Sequence, residues 1–218
     1  MKRLYFAAKA PLPGQVKTRL GSSIGIGAAA TLYAAFIADL SERFLTAPFE
    51  VAWYVTPGSW PHLRSIVGTS DKVRVQKGES WGIRQANLFR VAAGAEGSVV
   101  LAATDSPQLQ PAQVEAAFAA LETNDVVFGP TLDGGYYLVG MKRFHDLFSS
   151  VAMSTSSVLE QALTLARDQQ LSVALLDPEA DVDTSEDLEL LSRLVASRDD
   201  LGVTAGALSR ILRQVVAA

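Results

Sequence analysis

Cysteine is absent from the 218 residues, which excludes disulfides, thiolate zinc sites and cysteine nucleophiles. Histidine is nearly absent too. His62 and His145 are too few for a histidine-rich metal centre, and isolated histidines near loops are ordinarily surface residues. There is no excess of positive charge: a net charge of −4 and a pI near 5.2 leave no basic footprint for nucleic acid or an anionic membrane. Long apolar runs are also missing. Residues 4–8 form an apolar stretch after Met1-Lys2-Arg3, but Lys9 ends it well short of a signal-peptide core or a membrane span. These absences predict a cytoplasmic protein without membrane or nucleic-acid partners.

The chain has enough apolar material to fold. Hydrophobic residues make up 49% of it, and a chain this long buries roughly 70% of its unfolded surface. No repeat, low-complexity tract or linker divides it, so residues 1–218 are expected to form one domain, with the helix at 198–218 packing on it. Apolar and β-branched runs predict strands at 4–8, 50–56, 72–76, 99–103, 125–129, 136–141 and 172–176. Helical spacing of Leu32, Phe36, Leu40 and Phe44 predicts a long helix over 24–45. Further helices are predicted at 62–67, 82–93, 111–121, 156–169 and 184–197. Thr184-Ser185-Glu186-Asp187 resembles a capping box for the last of these. A final helix carries Leu208, Ile211, Leu212 and Val215 as an apolar stripe, read as core packing. Strands alternating with helices imply an α/β fold whose mostly parallel sheet is covered on both faces.

Asp105 is the most informative position. The run Val99-Val100-Leu101-Ala102-Ala103 reads as a buried strand, yet Thr104 and Asp105 follow it directly, and Ser106-Pro107 stops it. A carboxylate at the carboxyl edge of a central parallel strand lies where open α/β sheets bind ligands, and a metal ion or a substrate is its simplest partner. The loop after the first strand, residues 9–19, offers Lys9, Lys17 and Arg19, the Thr18 hydroxyl, and Gly14 for close backbone approach. Such a loop suits phosphates. It is not a P-loop, because Val16 stands where a glycine must precede Lys17.

Two motif matches are discounted. Gly25-Ile26-Gly27-Ala28-Ala29-Ala30 fits a relaxed dinucleotide fingerprint but lies far from the strand end, so it reads as a helix start. Gly78-Glu79-Ser80-Trp81-Gly82 fits a nucleophile elbow and would make Ser80 the nucleophile of a hydrolase, with Asp133 and His145 completing a triad. No glycine-rich oxyanion segment supports that alternative. Asp133-Gly134-Gly135 is either a tight turn or a functional one, and its place at the Asp105 edge tilts the reading toward function. Of Asp181 and Asp183, one acid alone would cap the following helix. If Asp183 meets Asp105, the two bare carboxylates repel. A divalent cation removes that conflict, and oxygen-only ligands beside phosphates favour Mg2+ or Mn2+ over zinc.

Taken in order, five segments resemble a bacterial and archaeal family within the GT-A, or nucleotide-diphospho-sugar transferase, superfamily. They are Lys9-Ala10-Pro11 with Gly14 and Lys17-Thr18-Arg19-Leu20; Thr104-Asp105-Ser106-Pro107-Gln108-Leu109; Gly129-Pro130; Asp133-Gly134-Gly135 through Gly140; and Asp181-Val182-Asp183-Thr184 with Asp187-Leu188. Members are usually labelled glycosyltransferases, and their physiological reactions are largely unassigned. Parts of the pattern are similar to the phospholactate guanylyltransferases, and the overall plan is similar to the molybdenum-cofactor guanylyltransferases. The resemblance implies a three-layer α/β/α sandwich with a mixed, mostly parallel sheet. It also implies a nucleotide near Lys9, Gly14, Lys17, Thr18, Arg19, Arg84, Gly134 and Gly135, and a metal at Asp105 and Asp183. Ala103, Trp81 and Met153 depart from the family pattern, so base and acceptor choice do not carry over.

Metal-assisted transfer from a nucleotide donor to a small-molecule acceptor is therefore expected. A nucleoside triphosphate donor is ranked first and a nucleotide sugar second, with Lys17, Arg19, Asp105 and Asp133 as the catalytic set. Non-catalytic nucleotide binding is the remaining alternative.

Overall fold

A computed structural model describes residues 1–68, 72–95 and 97–216; the side chains of residues 214–216 lie outside the description. Its strands are β1 (Lys2–Ala8), β2 (Glu50–Val55), β3 (Val73–Val75), β4 (Ser98–Ala103), β5 (Val126–Pro130), β6 (Tyr136–Met141) and β7 (Val173–Leu175). Its helices are α1 (Thr18–Ile24), α2 (Ile26–Arg43), α3 (Trp60–Val67), α4 (Trp81–Ala92), α5 (Pro111–Thr123), α6 (Val158–Asp168), α7 (Asp187–Ser197) and α8 (Gly202–Val216).

All seven strands join one sheet in the order β3-β2-β1-β4-β6-β5-β7. Alternation along β1 sends Leu4, Phe6 and Ala8 into one core and Tyr5 into the other. The first core takes α2, α3, α5, α7 and α8, and the second takes α4 and α6. The result is the expected three-layer sandwich. β1 pairs in parallel with β2 and β4, and β7 in parallel with β5, whereas β6 runs antiparallel between β4 and β5. Every strand except β6 therefore ends at the same edge. Strand order reverses between β1 and β4, the place at that edge where open α/β sheets bind ligands.

The structure departs from the sequence reading in three elements. The helix expected over 24–45 is α2, whose ends lie within two residues of that span, but a separate short helix, α1, precedes it, and Gly25, at a φ of +91°, turns the chain between the two. Thr18 and Arg19 thus open a helix instead of ending a loop. α7 begins at Asp187, three residues later than expected. Its carboxylate accepts the backbone N–H groups of Asp183 and Thr184 at 2.9 and 2.7 Å, so only the acid half of the capping box forms. On α8, Leu208 and Ile211 are buried but Leu212 is 41% exposed, and the Val215 side chain lies outside the described residues. α8 is fixed by the buried Asp39 of α2, whose two carboxylate oxygens accept the N–H groups of Val203 and Thr204 at 3.0 and 2.8 Å.

Candidate active site

The site is built on the ends of β1 and β4. Three hydroxyl-centred hydrogen bonds weld them: Thr104 donates to the Ala7 carbonyl at 2.9 Å, the Tyr33 hydroxyl lies 2.8 Å from Thr104 Oγ1, and the Lys9 N–H donates to Tyr33 at 3.3 Å. Burial, and then the negative charge of Asp105, push the Tyr33 hydroxyl well above its ordinary pKa, so it remains a protonated donor. Sequence reasoning missed Tyr33. The available signal was a hydroxyl among the apolar positions that α2 turns into the core.

Beyond this weld the β1 loop closes through Leu12 N–H to the Ala10 carbonyl and Gln15 N–H to the Leu12 carbonyl, with Gly14 at a φ of +77°. Lys17 then enters α1 in a left-handed conformation, φ 46° and ψ 45°, which is unusual for a residue with a Cβ. That backbone aims its side chain inward. The ammonium is 2.7 Å from Asp105 Oδ1 and 3.7 Å from Asp183 Oδ1, and the Lys17 side chain is only 3% exposed. Arg19 reaches the other oxygen of Asp183 at 3.0 Å from a largely exposed position. Two acids 78 residues apart in sequence thus share one cation. The Asp183 segment is held by the Val182 N–H, which donates to the Asp105 carbonyl at 3.2 Å.

The β5–β6 turn borders this cluster. Asp133 Oδ1 accepts from the Thr131 hydroxyl at 2.5 Å and from the Gly135 N–H at 3.1 Å, leaving its other oxygen toward solvent. Gly134 has a φ of +90°, and a Cβ there would strike the Ser156 carbonyl, so the turn needs glycine. Asp181, given no role from sequence, stands close enough to feel Asp133. Burial first, then the charge of Asp133, raise its pKa, with Lys17 opposing.

Other expected residues stay apart. Among the described residues no hydrogen bond or ion pair joins the side chains of Lys9 or Arg84 to the cluster; Arg84 instead donates to the Gly78 carbonyl at 2.9 Å. Ser80 accepts the Ile83 N–H at 3.2 Å as the N-cap of α4, which explains the elbow-like sequence without a nucleophile. A surface groove of about 780 Å³ runs past Met1, Phe44, Phe49 and Trp53 at the opposite edge, away from this cluster.

The chemistry at the cluster suits a small hard cation. Asp105 and Asp183 present carboxylate oxygens that are partly open to solvent, and the Lys17 ammonium already stands between them as a positive charge. No group of three or more metal-binding side chains occurs among the described residues. The protein would contribute two ligands and leave the rest to water and phosphate, the manner in which magnesium is commonly held.

Comparison with known proteins agrees with the fold. The structure of a "putative nucleotide-diphospho-sugar transferase" from Desulfovibrio desulfuricans G20 superposes with a TM-score of 0.88 at 28% identity, covering 98% of this chain and 97% of that one. More distant are the 4-diphosphocytidyl-2C-methyl-D-erythritol synthase of Anaerococcus prevotii (TM-score 0.58, 10% identity, 91% and 96% covered) and the inositol-1-phosphate CTP transferase of T. maritima (0.53, 14%, 96% and 95%). These two share the fold. No curated protein matches the chain in sequence. Residues 44–155, just over half of the chain, match a sequence family described as an uncharacterised protein conserved in bacteria, DUF2064. The chain belongs to that family and carries the nucleotide-diphospho-sugar transferase fold.

Proposed function

We propose that the protein is a nucleotide-using transferase that moves a nucleotidyl group from a nucleoside triphosphate to a small acceptor, with magnesium or manganese at Asp105 and Asp183. The observation that carries this reading is the meeting of Lys17 and Arg19 from the β1 loop with Asp105 and Asp183 in one cluster. It lies at the sheet edge where α/β folds bind ligands.

An acceptor phosphate or hydroxyl oxygen attacks the α-phosphorus, the bond to the bridging oxygen breaks, and pyrophosphate leaves. The metal, when bound, supplies positive charge to the phosphate oxygens. Lys17 and Arg19 neutralise charge that grows on pyrophosphate, aided by backbone amides near Gly14 and by Thr18. Gly134 and Gly135 keep the adjoining turn narrow. Asp133, held by Thr131 and the Gly135 amide, orients the acceptor through its other oxygen. Proton removal contributes little for a phosphate acceptor, so orientation and charge carry most of the rate.

Glycosyl transfer from a nucleotide sugar is the second reading, favoured by the relative that shares 28% of its sequence with this chain. Phosphorus NMR of reactions with pooled small alcohols and phosphates separates the two. Pyrophosphate formed from a triphosphate supports nucleotidyl transfer. Nucleoside diphosphate formed only from a nucleotide sugar overturns it in favour of the second reading.

A further inference from the structure

We propose that Lys17 is a resident cation of the two-aspartate site. Its ammonium holds Asp105 and Asp183 together in the unliganded chain and leaves them when a divalent ion enters. The inference rests on the metal reading of the site given above.

The geometry points to exchange. Lys17 Nζ contacts Oδ1 of both aspartates, at 2.7 and 3.7 Å, while Arg19 takes the remaining Asp183 oxygen at 3.0 Å. Two carboxylates face two cations, and Asp181 and Asp133 stand close enough to add negative charge. A divalent ion joining the same oxygens, with both cations retained, would crowd like charges within contact distance. An ion that binds Oδ1 of both aspartates takes the place of the Lys17 ammonium. Arg19 is 73% exposed and can turn away freely, but Lys17 is 3% exposed and confined. Its backbone is also fixed, because the Lys17 carbonyl accepts the Gly21 N–H at 2.7 Å in the first turn of α1. Departure of Lys17 is therefore a side-chain swing from buried to solvent-facing. Asp105 and Asp183 remain accessible to the incoming ion, at 45% and 36% exposure.

Exchange is reciprocal: whatever Lys17 costs the metal in affinity, the metal costs the Lys17 ion pairs. Both sides are measurable on the full-length protein with Mn2+ alone. Acetylation of lysine amines by a water-soluble ester, followed by peptide mass spectrometry, reads access to each ammonium. Lys17 should react slowly beside the exposed Lys77, and saturating Mn2+ should raise its rate by roughly tenfold while leaving Lys77 unchanged. In parallel, Lys17→Met should bind Mn2+ about tenfold more tightly than the wild type by EPR, and Lys17→Arg should not. Lys17 that stays protected while Mn2+ is bound overturns the proposal, as does a Lys17→Met variant that binds no more tightly. Failure of the underlying metal reading looks different: Mn2+ would bind neither protein, and Asp105→Asn would leave nucleotide binding in Mn2+ unaltered.

Discussion

At the scale of single residues, Lys17 shows how sequence and geometry divide the work. A basic residue in a loop after the first strand reads from sequence as a candidate phosphate ligand. Its left-handed backbone and its double ion pair were not legible there, because both depend on where α1 starts and on a segment more than 160 residues away. Asp105 was legible because a carboxylate directly after a buried strand has few innocent explanations. Tyr33 escaped notice and Asp181 received no role, since their surroundings exist only in the folded chain. Asp105→Asn and Asp183→Asn each leave Lys17 short of a negative partner and remove a metal ligand. Steady-state turnover in magnesium should fall by on the order of 10²- to 10³-fold in either variant. A fall under threefold in both would remove the two acids from the chemistry.

At the scale of elements, the alternation of strands and helices was readable nearly throughout, and boundaries shifted by a few residues at most, but α1 was missed. Its seven residues, with Gly21, Ser22 and Ser23 in the middle, carry little helical signal. Ser80 is the opposite case: a motif that suggests catalysis is spent on capping α4. Ser80→Ala should keep full turnover and lose about 1 kcal/mol, a drop of roughly 2–4 °C in melting temperature. Abolished turnover in a folded Ser80→Ala protein would restore the hydrolase reading. The β5–β6 turn makes a stronger demand. Gly134→Ala forces a Cβ against the Ser156 carbonyl at a φ of +90°, and should destabilise the protein by about 3 kcal/mol in a urea titration. A change within 0.5 kcal/mol would mean that the turn relaxes freely.

At the scale of the whole molecule, the strand order could not be read from the chain, because pairing β1 with β4 and inserting the antiparallel β6 are long-range choices. That order nonetheless brings four distant segments to one edge. The C-terminal segment is tied to α2 through Asp39, which caps α8, and through Asp200, which precedes α8 and joins Arg43 and Arg198. Burial raises the Asp200 pKa, but the hydrogen bond from Arg198 and the charge of Arg43 outweigh it and leave it below the usual carboxylate value. A depressed pKa contributes stability above the unfolded value and loses it as pH falls through the folded one. Asp200→Asn should therefore cost about 1 kcal/mol near neutral pH, allowing for solvent screening, and nothing once pH drops below the ordinary carboxylate range. A pH-independent difference would contradict the assignment.

Metal-dependent grip on a donor's phosphates is most directly read by the melting temperature of the wild type, Asp105→Asn and Asp183→Asn against nucleoside triphosphates and nucleotide sugars, with and without magnesium. A triphosphate at a hundred times its dissociation constant should add about 2.7 kcal/mol, roughly 5–10 °C, to the wild type in magnesium alone. Both variants should lose that rise. An equal rise in the variants, or a wild type that responds to no nucleotide in magnesium, would contradict a site in which these two aspartates serve the donor.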